Sequence, residues 1–195
     1  MATAEWLEHA RAGRPFRMVD MEFIGATFAA REKLDAYPEA MRSGFEAMQA
    51  ALADLLGAVG RDVVVLPPFN VDVGINIEIG DNSFINSNAM LLDTYPIRIG
   101  NDVMIGPNCG LYPVGHPVRA EDRFIRDADG NRVGHWSTGA AIVIEDGVWM
   151  GGNVIVLPGV TIGARSMIGA GSVVTKSIPP DVFAAGNPCR VIRPL

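Results

Sequence analysis

Proton transfer near neutral pH needs a base that titrates there and is held in place, and this 195-residue sequence offers three histidines for the task, His9, His116 and His135. His116 lies in Gly115-His116-Pro117-Val118, where proline stiffens the turn. That setting suits a general base, and it suits a structural histidine equally. His9 stands beside Arg11 in a helical stretch and reads as a solvated side chain. His135 precedes Trp136, and the two serve equally as cover for a binding pocket or as anchors for a loop. Asp127, Asp129 and Asn131 imitate the start of a calcium loop, but Arg132 takes the place of its glycine and the distal glutamate is missing, so no metal is expected. Cys109 and Cys189 form no framework and read as free thiols of a reducing compartment.

The elements that must position His116 are written in a period of six. Ile144, Met150, Val156, Ile162, Ile168 and Val174 follow one another at that step, with Val148, Val154, Val160, Ser166 and Ser172 at small or branched positions between them. A helix would repeat at 3.6 and a flat strand at 2, whereas six is the period of a parallel β-helix with three short strands per coil. Each aliphatic residue is expected to stack on its counterpart about 18 residues along. Gly151, Gly163 and Gly169 read as corner residues whose dihedrals exclude a Cβ. The ladder is also present earlier, as Val73, Ile79, Ile85 and Leu91, then Ile99, Ile105 and Leu111, with Ser83, Ala89, Val103 and Cys109 at small positions. It breaks twice. Two extra residues bulge out around Asp93, Thr94, Tyr95 and Pro96, and residues 112–141 leave or deform the coil. A solenoid places insertions on one face, often the binding face.

Residues 1–60 read as a helical N-terminal segment. Thr3 to Ala12 is expected to form a short helix ended at Gly13, and Ala26 to Tyr37 a second. Pro38 suits the first turn of a third, with Met41, Phe45, Met48, Leu52, Leu55 and Val59 as its apolar stripe and Gly57 and Gly60 near its end. Asp20 lies in the polar link from Arg17 to Glu22, where a solvated loop residue is the plain reading. Residues 61–195 would then form the β-helix, with a C-terminal tail from 177 to 195.

Hydrophobic content of 49% with 19% charged residues can supply a core, and no apolar run approaches the length of a membrane span. The opening MATAEWLEHARAGR lacks a basic start followed by an apolar stretch, so a cytoplasmic location is expected. A net charge of −6 argues against nucleic acid as partner. It is unevenly spread: residues 1–163 carry twelve Lys or Arg against twenty-one Asp or Glu, giving −9, while Arg165, Lys176, Arg190 and Arg193 against Asp181 give +3 in 164–195. A positive tail on an acidic chain suits a small polyanion such as a nucleotide, or amounts to four solvated side chains.

The chain resembles the maltose and galactoside O-acetyltransferase family. The resemblance rests on Pro67-Pro68-Phe69, Ile75-Asn76-Ile77-Glu78-Ile79-Gly80, Asn86-Ser87-Asn88, the histidine turn and Val148-Trp149-Met150-Gly151-Gly152. It continues through Pro158-Gly159-Val160-Thr161-Ile162-Gly163, the run Ile168 to Lys176, and Gly186-Asn187-Pro188-Cys189-Arg190, covering about residues 60–195. It implies a left-handed parallel β-helix, acetyl-coenzyme A as co-substrate and a hydroxyl acceptor such as a sugar. By the same resemblance His116 is the catalytic base and Asn86 an active-site amide that holds the acceptor or stabilises charge. Asp20, Asp72 and Asp93 match positions facing the acceptor. Trp149, Gly152, Ala170, Thr175, Lys176 and Arg190 match positions lining the coenzyme A groove. A homotrimer with each active site between two subunits is implied too.

The departures from the family lie near the acceptor. Arg126 to Ala140 adds about nine residues, with Asp129-Gly130 as a hairpin-type turn, and Thr94 stands where some relatives have a second acid. An acetyltransferase for an antibiotic or other non-sugar natural product, or a non-catalytic scaffold, are the rival readings. A zinc carbonic anhydrase on the same scaffold fails for want of a three-histidine ligand set.

Overall fold

In a strand only every second side chain points inward, so strands of two or three residues contribute one core residue each. The computed structural model describes residues 4–195, and Thr3, the expected start of the first helix, lies outside the described residues. Its main body is a left-handed parallel β-helix of triangular section. The first face carries Ala58–Val59, Ile77–Ile79, Ile97–Ile99, Ile142–Ile144 and Thr161–Ile162. The second carries Val64–Val65, Phe84–Ile85, Met104–Ile105, Trp149–Met150, Met167–Ile168 and Val182–Ala185. The third carries Phe69–Val71, Ala89–Leu91, Gly110–Leu111, Ile155–Val156 and Val173–Val174. Register stacks like on like: Ile79, Ile99, Ile144 and Ile162 form one inward column, and Ile85, Ile105, Met150 and Ile168 another. Val148, Val154, Val160, Ser166 and Ser172 are all buried, as the six-residue pattern requires.

Three expectations need correction. Ile144 pairs with Ile162, eighteen residues on, but Ile79 pairs with Ile99, twenty on. The longer early coils arise because both have an extended corner. Val71, not Val73, is the third-face partner of Leu91, and Val73 packs outside the prism with Trp6, Phe16, Phe23 and Tyr95. Left-handed corners are filled by Asp62, Asn82, Asn88, Asp102, Asn108, Asn153, Arg165 and Asp181, mostly Asn and Asp, whose short polar side chains tolerate that region. Gly151 and Gly163 are needed for another reason. A Cβ on them would lie 2.7 Å from Ala170 N and 2.4 Å from Pro180 N, so glycine lets successive coils approach.

The leader divides differently from the sequence pattern. Helix α1 spans Glu5–Arg11, α2 runs from Met21 to Arg42 straight through Pro38, and α3 spans Phe45–Leu55. Burial of Ala30, Leu34 and Tyr37, with the Tyr37 hydroxyl donating to Val65 O at 2.8 Å, outweighs the backbone hydrogen bond that proline cannot make. Burial pushes the Tyr37 hydroxyl up to about 12. The break comes instead at Gly44, whose φ of 121° is closed to other residues. Val59 belongs to the first strand of the prism, not to a helix. Met48, Leu52 and Leu55 of α3 join the β-helix core and cover its N-terminal end.

The C-terminal tail is also more than a tail. Val182–Ala185 extends the second face, and Arg190–Pro194 returns antiparallel along it, with Cys189 buried behind. Bidentate pairing with Asp181 takes Arg165 out of the positive cluster found by counting.

Chain 112–141 leaves after Leu111 and rejoins at Ile142. It is an antiparallel sheet rather than a loop: Arg132–Gly139 pairs with Val114–Gly115, with Phe124–Arg126 and with Phe16–Arg17 of the leader. Asp127 closes the Asp129-Gly130 turn by accepting the backbone N–H groups of Asp129 and Asn131. The Asn131 side-chain amide, donating to the other carboxylate oxygen at 3.2 Å, and then its backbone N–H hold the carboxyl below the usual range.

Candidate functional site

His116 follows the strand Val114–Gly115 and is exposed. Its Nδ1 lies 2.8 Å from the carbonyl oxygen of Trp136. A carbonyl only accepts, so Nδ1 carries the proton of the neutral ring and Nε2 keeps its lone pair. This is the tautomer a base needs. Trp136 also links His116 to a cavity of about 190 Å³ lined by its own ring with Trp6, His9, Phe16, Arg17 and Asp20. His116 itself does not line that cavity. Asp20 caps α2, accepting from Glu22 N at 2.8 Å, and still borders the cavity. His9 is not simply solvated, because its Nδ1 engages Pro15 O at 2.9 Å at the cavity wall. The strand Phe16–Arg17 carried no signal in the sequence, being two residues long.

Asp93, expected to face the acceptor, lies inside the fold. It is wholly buried, and its carboxylate accepts the backbone N–H groups of Asp72 (2.9 Å), Val73 (3.0 Å) and Asn76 (3.2 Å). Two extended corners of adjacent coils stack here, and one carboxylate satisfies the amides that the extra residues free from strand pairing. Burial pushes its carboxyl up to about 6 against the backbone N–H groups of Val73, Gly74 and Asn76, with the Asp72 charge adding to the rise. Asp72, partly buried, accepts from the Thr94 hydroxyl at 2.6 Å, and burial raises its carboxyl too. Thr94 thus partners an acid at the position where a second acid was considered.

The remaining candidates divide between two edges of the prism. Thr175 and Lys176 follow Val173–Val174 on the edge between the third and first faces, the edge that also carries Asp72, Asp93 and the root of the His116 excursion. Asn86, Gly152 and Ala170 follow second-face strands and lie on the edge between the second and third faces. Asn86 Oδ1 accepts the N–H of Ser87 at 2.8 Å. Gly171 N donates to Gly152 O, so this edge is a strip of small residues running along the coils. Trp149 stands 51% exposed on the second face, and Arg190 begins the return strand beside that face. Among the described residues neither Lys176 nor Arg190 enters a salt bridge. One chain therefore does not unite all the predicted positions.

The outer faces differ in chemistry. On the first face Glu78 and Arg98 stand in register 3.6 Å apart, an ordinary solvated pair. On the second face register aligns Phe84, Met104, Trp149, Met167 and Phe183 outward in a single column, with Met104 54% exposed.

Comparison with known proteins agrees with this architecture. The family model for bacterial transferase hexapeptide (six repeats) matches residues 141–176, and that for hexapeptide repeat of succinyl-transferase matches 96–121. Galactoside O-acetyltransferase of Escherichia coli (strain K12) is 43% identical over 151 residues, 77% of this chain and 70% of that relative. The solved maltose O-acetyltransferase from Clostridium difficile 630 is 35% identical with a TM-score of 0.88, over 100% of this chain and 99% of that one. A hexapeptide-repeat acetyltransferase from Vibrio cholerae, solved in complex with acetyl coenzyme A, is 36% identical with a TM-score of 0.84, over 98% and 99% of the two chains.

Proposed function

The chain belongs to the hexapeptide-repeat acetyltransferases related to galactoside and maltose O-acetyltransferases, and from that membership we propose that it moves the acetyl group of acetyl-coenzyme A to a hydroxyl of a sugar or glycoside with His116 as general base. The observation that carries this assignment is the hydrogen bond from His116 Nδ1 to the Trp136 carbonyl. It leaves Nε2 free to take the proton of the acceptor hydroxyl as the oxygen adds to the acetyl carbon. The same bond persists in the protonated ring, so the imidazolium stays oriented to return that proton to the departing sulfur. Acetyl-coenzyme A, when bound, supplies the activated thioester. A direct attack in a ternary complex needs no acyl-enzyme, and both thiols are buried.

The donor-side residues fit such a group. Gly152 and Ala170 put little side chain along their edge, exposed Trp149 offers an apolar flank, and Lys176 and Arg190, which enter no salt bridge among the described residues, carry charges suited to phosphates. Thr175 adds a hydroxyl beside Lys176. On the acceptor side Asp20 and Asp72 have carboxylate oxygens suited to sugar hydroxyls, and Asn86 an amide suited to developing negative charge. Asp93 acts through the corner that it holds.

A homotrimer reconciles the two edges. The apolar column of the second face gives a reason for association, and a neighbouring copy would bring one subunit's Asn86 edge toward another's His116 excursion. In this reading α3 closes the N-terminal end of a catalytic β-helix that begins at Ala58–Val59. We place the reaction in the cytoplasm, where acetyl-coenzyme A is made and free thiols stay reduced; among the described residues no helix is long and apolar enough to cross a membrane.

The test is release of free thiol from acetyl-coenzyme A across glucosides, galactosides, maltose and non-sugar alcohols. His116→Ala is expected to lower kcat by about 10² to 10⁴, the range for a lost general base. Retention of full transfer by that variant would end the mechanism, and a non-sugar alcohol preferred over every sugar would end the acceptor assignment.

A further inference from the structure

We propose that His135 is a positioning residue for His116: an imidazole packed edge to face on the base, fixing the orientation of its ring. The inference rests on the reading of His116 as the general base. The ring centroids lie 5.2 Å apart with an interplanar angle of 69°. That geometry suits aromatic contact and is close enough for one positive charge to oppose a second.

The strand Arg132–Gly139 thus grips the base twice. The Trp136 carbonyl fixes the Nδ1 side, and the neighbouring residue supplies a ring against the other surface. Successive side chains of a strand point to opposite sides, which lets Trp136 line the cavity while His135 turns to His116. His135 is itself anchored. Its carbonyl accepts Met18 N at 3.1 Å, and its cross-strand partner Phe124 lies under the Arg132 guanidinium, 4.0 Å from the ring centroid.

The charged groups around the pair favour a neutral His135. On its own strand Arg132 is a cation, Arg126 lies opposite Arg132, and Arg17 lies opposite Trp136. Helix α4, Ala120–Arg123, brings Glu121, Asp122 and Arg123, the last donating to the carbonyls of Pro117 and Val118 beyond His116. Partial burial, then His116 and Arg132, hold His135 below the ordinary imidazole range. During turnover His135 stays an uncharged, ring-shaped support.

Imidazole NMR titration and pH profiles of kcat for the wild type, His135→Phe and His135→Ala test this. In the wild type the His135 ring is expected to titrate below the ordinary imidazole range. His135→Phe keeps the ring contact, so kcat should stay within about threefold of wild type, whereas His135→Ala should lower kcat on the order of tenfold with the donor KM unchanged. Unaltered kcat in His135→Ala would overturn the proposal, and so would a loss in His135→Phe as large as that in His135→Ala. His116→Ala in parallel separates the two readings. Full activity there overturns the base and its support together, while lost activity there beside unaltered His135 variants overturns only the role of His135.

Discussion

At the scale of the residue, Asp93 shows how one buried carboxylate can hold a corner of the coil together. Its carboxyl is pushed up to about 6 from an ordinary value of 3.8 because burial opposes charge more than three N–H donors favour it. A raised carboxyl means that the folded state holds its proton more tightly than the unfolded state. The stability it contributes is full below about pH 4 and is lost as pH rises through about 6. Denaturant midpoints are therefore expected to fall between pH 4 and 7, with a flatter slope in Asp93→Asn. That variant should also be less stable by about 1–3 kcal/mol, because an amide cannot accept all three N–H groups. A steeper slope in the variant would contradict the assignment. Donor-side residues behave differently. Lys176 and Arg190 are exposed and meet phosphates in the proposed complex, so Lys176→Ala and Arg190→Ala should raise the apparent KM for acetyl-coenzyme A and leave kcat nearly unchanged.

At the scale of the element, the excursion is held by contacts that leave little room. A Cβ on Gly139 would lie 2.3 Å from Pro113 O and 2.4 Å from the Tyr95 ring. Tyr95 packs on Phe16 and donates to Arg14 O at 3.1 Å, so corner, leader and excursion meet at this ring. Gly139→Ala should push Arg132–Gly139 away from it, at a local cost of about 1–3 kcal/mol. Thermal melting monitored by far-UV circular dichroism should then change little while thiol release falls, since the coils do not depend on the excursion. Equal loss of melting temperature and activity would mean that the excursion is part of the β-helix core instead.

At the scale of the whole molecule, the proposed trimer would depend on the apolar column of the second face. A charge placed in its apolar column, as in Met104→Glu, is expected to convert a three-chain particle into single chains by light scattering and to abolish acetyl transfer, with the coil content unchanged. Full activity from single chains would remove the need for a neighbouring subunit. The sequence by itself determined the β-helix, because a column of inward Ile, Val, Leu and Met residues imposes its period on the chain wherever the coils are regular. It also marked the histidine turn as the point where that period fails. It did not reveal that Val73 leaves the ladder, that Pro38 sits within a helix, or that Asp93 is consumed by backbone amides. Those outcomes depend on what packs against each residue from distant parts of the chain. In the sequence His135 read with Trp136 as pocket cover or loop anchor, and the pairing of Val114–Gly115 with Arg132–Gly139, flanked by the leader strand Phe16–Arg17, is what brings its ring to His116. Local period is a property of neighbours in sequence, and a site is a property of neighbours in space.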